Sequence, residues 1–133
     1  MADPEAVGRA FLDYFYGLFS TNRAGLASLY QESSLLTFEG NKIQGQQAII
    51  QKLTNMPFQN VAVQRDTVDV QPSISGGILI FVTGKLMPEG ESIPLKFSQA
   101  FHLMPTPTSS FVVTNEILDK IALHLHCTAS VGD

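Results

Sequence analysis

The hydrophobic period of this chain changes once, near Asn60, and that change restricts its fold more than any other feature. Before it, apolar residues recur at helical spacing. Val7, Ala10, Phe11, Tyr14, Phe15 and Leu18 fall at i, i+3, i+4, i+7, i+8 and i+11, the wide stripe of an amphipathic helix. Asp3, Pro4 and Glu5 start it: a capping side chain, a proline in the first turn, and an acid near the positive dipole end. Ser20, Thr21 and Asn22 stop it. A short second helix from Arg23 to Tyr30 buries Leu26, Leu29 and Tyr30. Leu35 to Phe38 reads as a short strand, Gly40-Asn41 as a turn, and Ile43 as a residue pairing back. Gln46 to Asn55 is a third helix with Ile49, Ile50 and Leu53 inward, ended by Pro57.

After Asn60 everything reads as strand. Val61 and Val63 alternate with polar neighbours, and Val68 and Val70 do so in the opposite phase. Such a phase change implies a bulge or sharp bend between them. Gly77 to Leu86 is nearly all apolar, which predicts a strand covered on both faces. Ile93 to Met104 follows, then the turn "PTPTSS". Phe111, Val113, Ile117, Ile121, Leu123 and Leu125 share one parity and predict a last strand, kinked near Asn115. Helices followed by strands make an α+β architecture. The expected form is a cone: three helices packed on a strongly bent antiparallel sheet, with a cavity at the open mouth. One domain spans residues 1–127, with a frayed polar tail over 128–133. An apolar outer sheet face would be covered by a second copy of the chain.

Charge narrows the partners. The chain is 44 % hydrophobic and 15 % charged, with a net charge of −4. Nucleic acid and anionic membranes both call for a dense basic face, so this balance disfavours both and suits a basic protein partner. The apolar run Ile78 to Val82 is too short to span a bilayer. The single cysteine, Cys127, has no internal disulfide partner, which fits a reducing compartment. These features describe a soluble intracellular protein.

Two stretches place acids beside apolar residues. "LLTFEGNKIQG" puts Glu39 directly after Phe38, and "MPEGES" puts Glu89 and Glu91 on either side of Gly90. Taken alone, these are solvated turn acids. His124, His126 and Cys127 suggest a metal cluster, but a structural zinc takes four ligands and no further ones stand nearby. His102 reads as a packed or half-exposed strand residue. Dinucleotide and phosphate-loop spacings are absent.

In order and spacing, "FLDYFYGLF", "LASLY", "LTFEG", "IQGQQAIIQKL", "MPFQ" and "KFSQAFHLMP" resemble the nuclear transport factor two family. The resemblance implies the curved α+β cone, paired sheet to sheet as a homodimer, without enzymatic activity or cofactor. It implies a carrier of the GDP-bound small GTPase Ran that binds Phe-x-Phe-Gly nucleoporins and works between cytoplasm and nucleus at the pores. An aromatic ring of Ran would enter the mouth and its basic residues would meet acids at the rim. By correspondence, Phe38 is the mouth aromatic, Glu39, Glu89 and Glu91 are the rim acids, and Met56, Val61 and Leu95 line the cavity.

The chain also departs from the family. It has no tryptophan, and Pro4 stands where relatives carry an aromatic that helps hold nucleoporin phenylalanines. The closing "NEILDKIAL" puts Leu118 or Asp119 at the family's phenylalanine. Two other readings stay open on the residues alone. One is an isomerase or dehydratase of the same cone fold, drawing on Asp66, Asp69, Tyr14, Tyr16, Tyr30 or His102. The other is a dimerisation module that has lost Ran binding.

Overall fold

The structure, a computed structural model, describes residues 3–90 and 93–122. Helix α1 (Pro4–Thr21) begins as its sequence dictates: the Asp3 carboxylate accepts from the Ala6 amide at 3.3 Å, with proline in the first turn. Its buried face is Gly8, Leu12, Phe15, Tyr16 and Phe19. The predicted stripe is therefore rotated. Tyr14 and Ala10 lie outside it, and Val7, Phe11 and Leu18 flank the core. Phe15 is the hub, with ring centroids 4.9 Å from Phe101, 5.2 Å from Tyr16 and 5.8 Å from Phe19.

The expected second helix is a tighter 3₁₀ segment, Arg23–Leu29, and Tyr30 already begins strand β1 (Tyr30–Phe38). β1 thus starts five residues earlier than its apolar run suggests, because its first half is polar. Strand β2 (Asn41–Gln44) pairs back on it with Ile43 opposite Leu36. Helix α2 (Gln46–Thr54) follows, with Ile49 and Leu53 fully buried. Strands β3 (Val61–Pro72), β4 (Ile78–Pro88), β5 (Leu95–Pro105) and β6 (Phe111–Ala122) form an antiparallel meander.

The six strands lie in the order β2-β1-β6-β5-β4-β3, with β1 parallel to β6. The sheet is therefore mixed rather than antiparallel throughout: β1 arrives from the helical half and runs alongside the last strand. α1 and α2 pack on one face of it.

The predicted phase change in β3 is a bulge. Register shifts between Arg65 and Thr67, leaving Asp66 as the extra residue. Asp66 meets Lys85 at 2.9 Å. Gly84, paired with Arg65, admits the close approach, since a Cβ there would lie 2.0 Å from the Gln64 carbonyl oxygen. A second bulge falls between β5 and β6, where His102 pairs with Asn115 and Leu103 with Val113, skipping Thr114. It flips the parity of β6. Val113 is buried, and beyond the bulge Glu116 and Leu118 point inward while Ile117 is 51 % exposed. The single parity predicted for β6 is therefore wrong beyond the kink. The prediction that β4 is covered on both faces also fails within one chain: its burial alternates, with Leu79 and Phe81 43 % and 45 % exposed. His102 is half-buried, hydrogen-bonded to Ser73 and Thr114 at 2.8 and 2.9 Å.

Candidate functional site

Topology gathers the candidate residues at one end of the sheet. β1 and β6 run parallel and Phe38 pairs with Leu118. Leu86 of β4, Leu95 of β5 and Ala122 of β6 pair in one row, and Val61 begins β3 opposite Pro88. Glu39 and Glu89, just beyond β1 and β4, therefore lie at the same end of the sheet. Glu91 lies outside the described residues, as do His124, His126, Cys127 and the tail.

Glu39 occupies a costly conformation. The hairpin joining Phe38 to Asn41 has two loop residues, Glu39 and Gly40, with φ of 51° and 87°. Two-residue hairpins of this handedness favour Asn-Gly or Asp-Gly. A glutamate in the left-handed region is disfavoured by roughly 1–2 kcal/mol, and such strain collects where a side chain's position matters to function. Its amide donates to the Leu118 carbonyl at 3.0 Å, which ties the turn to β6. Its carboxylate is not alone, as the local sequence suggests: the Lys120 ammonium lies 3.6 Å away. Lys120 and Lys52 both sit over the Phe38 ring, at 5.8 and 4.9 Å from its centroid.

Glu89 is held from the other side. Its amide donates to the Asn60 carbonyl at 3.0 Å, and the Asn60 side-chain amide donates to its carboxylate at 2.9 Å. Gly90, with φ of 86°, then turns the chain.

Phe38, Met56, Val61, Phe97 and Leu118 are all buried in the core. Two hollows flank Pro57 at the mouth. The smaller, 110 Å³, is lined by Phe38, Lys52, Asn55, Met56, Pro57 and Lys120. The larger, 210 Å³, is lined by Pro57, Phe58, Pro88, Glu89, Ile93 and Leu95. Phe38 and Met56 line one of these hollows, Glu89 and Leu95 line the other, and Val61 lines neither. Glu39 borders a third space, a 590 Å³ groove past Lys96, Ser98, Asp119 and Lys120.

Arg23 fixes the loop between the hollows. Its guanidinium donates to the carbonyls of Leu53 at 2.8 Å, Phe19 at 3.1 Å, Gln59 at 3.2 Å and Phe58. It also lies over the Phe58 ring at 5.0 Å. A buried guanidinium binding four carbonyls sets the position of Pro57 and Phe58, and hence the shape of both openings.

Sequence reasoning missed the polar centre of the core. Tyr30 donates to one Glu116 oxygen at 2.5 Å, Gln99 to the other at 2.6 Å, and Tyr16 to Gln99 at 2.6 Å. Burial pushes the Glu116 carboxyl up to about 7, against the opposing hydrogen bonds from Tyr30 and Gln99. Burial, then the nearby Glu116 charge, holds both tyrosine hydroxyls well above their ordinary range. These groups border none of the hollows just described. The signal that would have exposed Glu116 was its parity after the second bulge. Lys52 and Lys120 were overlooked because neither adjoins Glu39 in sequence.

Comparison with known proteins identifies the family. The profile of the Nuclear transport factor 2 (NTF2) domain matches residues 7–119. Nuclear transport factor 2B of Arabidopsis thaliana is 58 % identical over 116 residues, covering 86 % of this chain and 92 % of that protein. Nuclear transport factor 2 of Emericella nidulans is 47 % identical over 122 residues, covering 91 % and 98 %. The solved structure of nuclear transport factor 2 from Cryptosporidium parvum superposes with a TM-score of 0.83 at 38 % identity, covering 88 % of this chain and 94 % of that one. With a family match across most of its length, relatives this similar and the same fold, the chain belongs to the nuclear transport factor 2 family.

Proposed function

We propose that this nuclear transport factor carries the GDP-bound form of Ran, taking an aromatic ring of the guest into the 210 Å³ hollow beside Glu89. The observation that carries the reading is the placement of strained Glu39 and tethered Glu89 at one end of the sheet, with Glu89 lining the larger apolar hollow and Glu39 bordering the groove past Lys120. A cavity of about 150 Å³ holds benzene, so the larger hollow admits a phenyl ring, and the smaller does not. Burying a phenylalanine contributes roughly 1.5–3 kcal/mol. An exposed ion pair contributes only about 0–1 kcal/mol. The hollow supplies affinity, and the acids choose the partner and speed encounter. Discrimination between nucleotide states would follow from where the guest places its ring and bases, without contact to the nucleotide.

The working unit in this reading is a homodimer joined through the outer sheet face. Phe81, Ala100 and Ile117 form one row across β4, β5 and β6, and both large side chains are about half exposed. Phe-x-Phe-Gly nucleoporins are the second partner, bound less tightly than by relatives with an aromatic at the Pro4 position, and the sites of action are cytoplasm, nucleus and pore. An enzyme reading has less support, because Glu116 and its two tyrosines are sealed in the core. Titration calorimetry with Ran in both nucleotide states tests the proposal. Wild type should bind the GDP form, and Glu39→Lys should lose that binding while keeping its assembly state. Equal binding by mutant and wild type would remove Glu39 from the site.

A further inference from the structure

The smaller hollow differs in charge from the rest of the mouth. Among the described residues, every charged group lining it is a cation: Lys52 comes from the last turn of α2 and Lys120 from the inward side of β6. Asn55, with two amide donors of its own, completes the polar wall. Phe38, Met56 and Pro57 supply the apolar remainder. The two ammonium groups converge on a single ring, 4.9 and 5.8 Å from the Phe38 centroid. Glu39 is the one carboxylate within salt-bridge reach of either, among the described residues. Two cations against one anion leave the Phe38 side of the mouth net positive, in a chain whose overall charge is −4.

That excess has a consequence for any guest that brings a base to Glu39. The base must displace or share Lys120, and it meets the repulsion of both ammonium groups. A guest that also brings an acid removes the repulsion. The hollow's 110 Å³ corresponds to roughly three or four water molecules, room for a carboxylate on one or two methylenes.

We propose that the hollow between Lys52 and Lys120, floored by Phe38 and Met56, is a carboxylate subsite that reads an acidic side chain of the protein guest. The recognised segment then carries three features: a ring for the larger hollow, a base for Glu39, and an acid for the lysine pair. Identifying that guest as Ran rests on the carrier reading above; the subsite itself rests on the lysines alone. Specificity follows from the mixed pattern, since a purely basic segment meets Lys52 and Lys120 unpaired and a purely acidic one meets Glu39 and Glu89.

The experiment has two arms. In the first, N-acetylglutamate amide is titrated into ¹⁵N-labelled protein at constant ionic strength. Saturable shifts are expected at Asn55, Met56 and Lys120 in wild type and not in the Lys52→Met/Lys120→Met variant, which keeps both apolar stems. Absence of saturable shifts in wild type, or their persistence in the variant, overturns the subsite. In the second arm, Ran–GDP is titrated calorimetrically against each single variant. Affinity should fall about two- to fivefold with a shallower salt dependence. Tighter binding by Lys120→Met would show that Lys120 merely competes for Glu39, and would overturn the proposal. Should wild type fail to bind Ran–GDP, the carrier reading falls, and the first arm still decides the subsite.

Discussion

Glu116 gives the fold a pH dependence whose sign follows from burial. Its carboxyl sits at about 7 in the folded chain against 4.5 for an ordinary glutamate, because desolvation outweighs the hydrogen bonds from Tyr30 and Gln99. A carboxyl raised in this way holds its proton more tightly folded than unfolded. Its contribution to stability is complete below about pH 4.5 and is lost as pH rises through about 7. At about 1.4 kcal/mol per pH unit the window amounts to roughly 3 kcal/mol, a large part of the stability of a small domain. Glu116→Gln keeps the shape and an acceptor for Tyr30 but has no proton to lose. The assay is urea unfolding of wild type and variant from about pH 5 to about pH 9, at one protein concentration because association shifts apparent stability. Wild type should lose roughly 3 kcal/mol relative to the variant across that range, most of it between about pH 5 and pH 7.5. A flat difference, or wild type gaining on the variant as pH rises, would show that the two hydrogen bonds outweigh burial and that the reasoning is wrong.

Two further perturbations test separate parts of the structure. If the chain pairs as proposed, Phe81→Asp, which places a charge in the exposed row Phe81, Ala100 and Ile117, should halve the mass in sedimentation while leaving the circular dichroism spectrum unchanged; a wild-type monomer, or a mutant that stays dimeric, would overturn this interface. Arg23→Lys retains the charge but not the fork that serves four carbonyls, and should cost about 2–4 kcal/mol in denaturant unfolding; a loss under about 0.5 kcal/mol would mean water replaces those bonds freely.

Local signals were legible where one residue type dictates one geometry. Asp3 and Pro4 start α1, Ile49 and Leu53 anchor α2, and the reversed phase of Val61 and Val68 locates the β3 bulge because only an extra residue reconciles them. The face of α1 was misread by one side: Tyr14 continues the helical stripe by spacing, yet Tyr16 takes the core position because it finds a buried partner in Gln99. No spacing rule reveals that pairing, since the partner lies 83 residues away. The parallel pairing of β1 with β6 was equally hidden, as it joins the two halves whose periods differ. At the candidate site, Phe38, Glu39 and Glu89 were singled out by resemblance to the family, and their strands end at the same end of the sheet. The two hollows flanking Pro57 were not legible, because their shape depends on Pro57 and Phe58 being held by Arg23.

The second bulge shows how one residue sets the chemistry of this mouth. Were β6 to keep the phase of Val113 past Thr114, Ile117 and Asp119 would face inward, and Glu116 and Lys120 outward. The core would then lose its acceptor for Tyr30, and the lip beside Phe38 would carry Glu39 and Asp119, an acidic pair suited to a plainly basic guest. The extra residue reverses this. It sends Ile117 to the outer face, in line with Phe81 and Ala100, and turns Glu116 in to Tyr30 and Gln99. It also brings Lys120 over Phe38, 3.6 Å from Glu39. Outer-face apolarity, the buried acid and the cationic hollow are therefore one structural event read at three depths. Deleting Thr114 should leave all three in place, because Asn115 already pairs with His102 and every pairing beyond it keeps its phase. One residue inserted between Asn115 and Glu116 should disturb all three together, whereas substituting any one of Ile117, Glu116 or Lys120 should disturb only its own.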